Sequence, residues 1–183
     1  RGHSQSEDGK RALRHMYGRV ITIAILHEQL YQKNLATQLE STTLDATHLE
    51  LILRRQLDHA LPQCNPQLLV SRGLQLGLDQ ATTFCLLSNE LMNAWADAAE
   101  TMQQPPTTVH LALQEEEGKL LFTAHADADG MPIAASQQMD AFVKQMLEAF
   151  ASQLQGSIAW PDAERQPFSF QLQFPGSNLG AQS

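Results

Sequence analysis

A chain of 183 residues is long enough for one well-packed domain with an appendage, and short for two full domains. Its 43% apolar and 17% charged residues exclude wholesale disorder. A net charge of −8 with no Lys/Arg cluster excludes a phosphate-backbone binder, so nucleic acid is not an expected partner.

Cys64 and Cys85 have no CxxC spacing and read as reduced thiols. The seven histidines show no pair at metal-ligand spacing, so no metal beyond a nucleotide's Mg is expected. No apolar run approaches a membrane span, and the polar start RGHSQSEDGK is no signal peptide. The acidity fits a cytoplasmic protein; any membrane anchor is expected outside this chain.

Residues 8 to 32 read as a long helix, with Leu13, Met16, Val20, Ile23, Leu26 and Leu30 at three- and four-residue spacing. Gly18 is its weak point, at a cost of about 1 kcal/mol relative to Ala. Such length suits packing against other helices, including those of a second copy, with Tyr31 as a packing residue. After a polar linker, Asp45 is the expected N-cap of a helix over 46 to 60 that buries Leu49, Ile52, Leu53 and Leu57. Pro62 and Pro66 stop it, and 67 to 76 read as a strand. Residues 78 to 98 form one amphipathic helix that carries Glu90, Asn93 and Asp97 on a shared polar stripe.

QQPP breaks the chain at 103 to 106. Val109, Leu111 and Leu113 then alternate with smaller or polar residues as a strand, EEEGK turns it, and KLLFTAHA returns. The turn DADGMPIA leads to a helix near 137 to 154, with Met139, Phe142, Val143, Met146, Leu147 and Phe150 as its apolar positions. Strands at SIAW and FSFQLQF, joined by PDAER, close the domain, and the tail from Pro175 is expected to be loose. This order favours an α+β, two-layer sandwich: a mostly antiparallel sheet with helices on one face.

Three stretches resemble the HWE-related branch of sensor histidine kinases. GRVITIAILHEQLYQ is similar to the branch's second dimerisation helix, LDQATTFCLLSNEL to its LD-x-A…NEL helix, and ASQLQGSIAW with FSFQLQFP to its QLGGS-type helix end and last strand. The resemblance implies a GHKL-type ATP-binding domain of the Bergerat fold over 41–175, preceded by a dimerisation helix and linker over 10–40, with 1–9 a flexible lead-in and 176–183 a tail. It also implies ATP and Mg as cofactors, a homodimer, and a response regulator receiver domain as partner. The implied activity is histidine autophosphorylation followed by phosphotransfer.

By that resemblance Glu90 is the catalytic carboxylate, Asn93 and Asp97 face Mg and phosphate, and Asp127 or Asp129, with Gly130, holds the adenine. The family pattern is altered, however. The family Asn falls on Ala94 while Asn93 stands one residue early, and the Lys-His that follows becomes Asp97-Ala98. The earlier glycine of the adenine motif is Ala128, and the lid glycines are Asp140 and Val143. The family's phosphoacceptor motif is absent, leaving His15 and His27 of the first helix as candidates. Two readings therefore stand: an ATP-binding kinase portion, or a degenerate kinase-like scaffold or phosphotransferase that acts by partner binding. For Glu90, Asn93 and Asp97 the plain alternative is a solvated helix stripe; for Asp127, Asp129 and Gly130 it is a polar turn. Trp95 and Trp160 read as core or sheet-edge aromatics, and HEQLY lacks the second His of a zincin helix.

Overall fold

The computed structural model describes residues 2–37, 43–100, 105–129, 131–132, 140–160 and 169–176. The first helix, α1, runs from Gly2 to Thr37, longer at both ends than its periodicity indicates. A short strand β1 (Thr43–Asp45) follows inside the supposed linker. Helix α2 (Ala46–Ala60) begins where expected, because the Asp45 side chain accepts a hydrogen bond from the His48 backbone N–H. Its buried side includes Leu49, Ile52, Leu53 and Leu57.

The strand expected over 67–76 is two strands, β2 (Asn65–Val70) and β3 (Gln75–Gly77). Gly73, at φ +80°, turns the chain between them, and β3 leaves to pair with β1. Helix α3 (Leu78–Glu100) then crosses over to β4 (Thr108–Glu116). That helical crossover lets β2 and β4 lie parallel, while the other strand pairs are antiparallel.

Glu117 and Gly118, both at positive φ, make the tight turn into β5 (Lys119–Ala128). Asp129, also at positive φ, starts the turn to β6 (Met131–Pro132). Helix α4 (Ala141–Gln153) is capped by Asp140 and is shorter than the expected 137–154; Met139 and Gly130 lie outside the described residues. Strands β7 (Ser157–Ala159) and β8 (Ser169–Pro175) complete a sheet of order β2-β4-β5-β8-β7, with β6 beside β5. The PDAER turn also lies outside the described residues.

One core joins sheet and helices. Phe84 of α3 meets Phe122 of β5 edge-on and Phe174 of β8 in a stack, so α3 lies on the face that carries Val109, Leu111, Phe122 and Leu172. Trp95 is in this core, whereas Trp160 sits at the edge, against Phe170 and Lys144. The end of α4 explains the QLQGS sequence. Gln155 takes a left-handed φ of 56°, and the Gly156 N–H donates to the Ala151 carbonyl. A Cβ on Gly156 would collide with the Gln173 carbonyl, so only that second position needs glycine for space.

Helix α1 packs on α3 and α2 rather than on the sheet. Ile25 and Leu26 enter the core, but Leu13, Met16, Val20 and Ile23 are exposed, as are Tyr17 and Tyr31. The first part of the apolar stripe, from Leu13 to Ile23, is therefore left uncovered, while Leu26 turns into the core, and Tyr31 is not packed by the described residues. No helix among the described residues is long and apolar enough to cross a membrane.

Candidate functional site: the α1–α3 crossing

Glu90, Asn93 and Asp97 do share one side of α3, as their spacing requires. They do not form a solvated stripe. Glu90 and Asn93 are each 0% exposed, and α1 covers them. The crossing is close because of Gly18: a Cβ there would lie 2.7 Å from Asn89 Oδ1 and 3.2 Å from Asn93 Nδ2. What looks like a weak point in α1 is thus the place where α3 comes nearest.

Around Gly18, α1 aims a row of cations at α3. Arg19 Nε donates to Glu90 Oε1, and His15 Nδ1 is 3.5 Å from Glu90 Oε2. His15 Nε2 is 2.9 Å from Asp97 Oδ2. Arg14 reaches both Asp97 and Glu100, and Arg11 lies 3.9 Å from Asp97. These pairs are inter-helical, so they fix how α1 sits on α3. A second, uncharged contact reinforces them. The Gln56 side-chain amide donates to Thr22 Oγ1 and the Cys85 carbonyl and accepts from Ser88, which ties α1, α2 and α3 through buried groups. Nothing in the local sequence of Thr22, Gln56 or Ser88 announces this network.

Burial works against ionised Glu90, but the hydrogen bonds from His15 and Arg19 outweigh it and hold the carboxyl below its ordinary range. Asp97 behaves alike: burial raises it, and His15 and then Arg14 lower it further. The hydrogen bond to Asp97, followed by that to Glu90, raises His15 to about 9. His15 is therefore an imidazolium at neutral pH, with both ring nitrogens directed at carboxylates. That is the wrong state for a phosphoryl acceptor, which needs a free nitrogen lone pair. His27 is exposed on the same helix and makes no contact with Glu90 among those described.

The other expected residues are elsewhere. On β5 the core-facing side chains are Leu120, Phe122, Ala124 and Ala126, so Asp127 lies on the opposite face of the sheet from α3. There its carboxylate meets His110 Nε2 at 3.0 Å. Asp129 is exposed at the turn, with its backbone N–H donating to Thr107 Oγ1. The stripe on α3 and Asp127 are therefore not brought together. At α4, the Asp140 carboxylate accepts from the Phe142 N–H, occupying a donor that a phosphate would need.

The fit of this arrangement to Mg-ATP is poor. Glu90 is already paired with Arg19 and His15, and Asp127, one of the two adenine-side candidates, is across the sheet. Some polar atoms of the crossing remain unspent: both amide atoms of the buried Asn93, Asn89 Nδ2 and Glu90 Oε2 have no hydrogen-bond partner. Cys85, pushed up to about 12 by burial, and Cys64 are both free thiols.

No protein-family model and no curated protein matches the chain. Solved structures do. The histidine kinase domain of the Erythrobacter litoralis EL346 blue-light activated histidine kinase superposes with a TM-score of 0.64 at 14% identity, covering 90% of this chain and 76% of that one. For a longer form of the EL346 kinase the TM-score is 0.63 at 13% identity, with 88% of this chain matched, and the present chain spans 54% of its length. The ATP binding domain of PrrB from Mycobacterium tuberculosis gives 0.52 at 12% identity over 74% of this chain and 96% of its own. These likenesses lie in the fold. The chain has the α+β fold of a sensor histidine kinase ATP-binding domain, with a long helix in front folded back over α3.

Proposed function

We propose that this chain is the kinase-like part of a cytoplasmic two-component signalling protein, and that it works by dimerisation and partner binding rather than by turning over ATP. The observation that carries this reading is the closure of Glu90, a fully buried carboxylate whose counter-ions come from α1 of the same chain. A carboxylate so enclosed and balanced by two cations is poorly placed to serve a magnesium ion or an attacking group. The exposed stripe of Leu13, Met16, Tyr17, Val20 and Ile23 suits a second copy of α1, and a response regulator receiver domain is the expected partner.

A second reading, ATP binding once α1 is released, is favoured by the buried polar atoms left without a hydrogen-bond partner, the Asn93 amide and Glu90 Oε2. Calorimetry with Mg-ATP separates the two. Under the first reading, wild type and Arg19→Ala both give no binding heat at millimolar nucleotide. Binding gained by Arg19→Ala, and lost again when Glu90→Ala is added, would establish the second reading. Light scattering tests the dimer: Val20→Asp should convert a dimer to monomers, and a monomeric wild type would remove dimerisation from the proposal.

A further inference from the structure

We propose that His110, His125 and Asp127 form a binding site for a divalent transition-metal ion of the zinc class, on the sheet face away from the helices. The hairpin register creates it. His110 of β4 and His125 of β5 are direct cross-strand partners, and Asp127 is the next β5 residue on that face. Linear spacing alone does not show this pair, because the two histidines approach only through the turn at Glu117-Gly118.

The geometry is close to that of a three-ligand centre. The two imidazoles stack with centroids 4.3 Å apart and planes 10° from parallel. One donor atom from each of the three residues can be chosen so that all lie within 4.8 Å of one another. Zinc with bonds of about 2.1 Å wants tetrahedral donors about 3.4 Å apart, a closure that side-chain torsions on two hydrogen-bonded strands can supply. The Asp127–His110 contact, at 3.0 Å, already meets it.

Two neutral imidazoles and one carboxylate suit zinc, nickel or copper better than magnesium or calcium, which prefer oxygen alone. The site is also accessible, with the side chains of His110 and Asp127 37% and 17% exposed. Three ligands would leave a fourth position for water or for a donor from a docking protein. This site is separate from the α1–α3 crossing, since the sheet lies between them.

The test uses the full chain, stripped with chelator and titrated with zinc chloride near pH 7.4 by calorimetry. One ion per chain should bind with micromolar affinity. His125→Ala and Asp127→Asn should each weaken binding by roughly tenfold or more, while His27→Ala leaves it unchanged and circular dichroism confirms that the variants fold. Cobalt substitution should give visible ligand-field bands that disappear in His125→Ala. No binding by the wild type, or binding unaffected by His125→Ala and Asp127→Asn, would leave His110, His125 and Asp127 as a cross-strand ion pair only and overturn the site.

Discussion

The two faces of the central sheet treat charge in opposite ways. On the helical side, Glu90 is sealed under α1 and answered by Arg19 and His15. On the other side, His110, His125 and Asp127 stay within reach of solvent and lie close to one another. Where a charge is buried, its partners are specified from within the chain, and it becomes part of the packing. Where it is left at the surface, its chemistry stays available to something outside. The difference shows that likeness to a nucleotide-binding fold does not locate the available chemistry.

The contrast can be broken most strongly at Arg19. Arg19→Ala leaves the buried Glu90 charge with His15 alone, and urea denaturation should report a loss of about 3 kcal/mol, the low end for stranding a buried charge because Arg19 itself is 43% exposed. His125→Ala on the open face should cost well under 1 kcal/mol by the same measurement. Gly18→Val tests the close crossing. Its side chain would meet Asn89 and Asn93, and overpacking there should cost about 2 kcal/mol. One change is a gain: Gln155→Gly relieves a left-handed backbone at a non-glycine residue and should stabilise by about 1 kcal/mol.

Much of this fold was legible in the sequence. Apolar periodicity placed α2, α3 and the β4–β5 hairpin, and Asp45 announced its own cap, because such signals lie within a few residues of one another. The split of β2 from β3 was not read, although Gly73 marks it. The side of the sheet taken by Asp127 was readable as well. Counting in twos from Leu120 through Phe122 and Ala124 puts it out of the core, and the same count through the turn pairs His110 with His125. The cover over Glu90 had no such signal. Arg19 and Glu90 are 71 residues apart, and an ion pair at that separation leaves no local pattern. The apolar stripe on α1 was visible, but not its partner, since periodicity identifies a face without saying what that face meets.

The closure of α1 on α3 also sets a pH dependence. His15 is raised from its ordinary 6.5 to about 9, so its contribution to stability is complete below 6.5 and is lost as pH rises through 9. Glu90 and Asp97 are lowered, so theirs is present above the ordinary carboxylate range and is lost as acid protonates them. The most direct measurement is the titration of the His15 ring by NMR in the folded chain, assigned with His15→Gln. A midpoint near 9 is the result expected if α1 closes over Glu90 and Asp97 in solution. A midpoint at the ordinary 6.5 would contradict that closure.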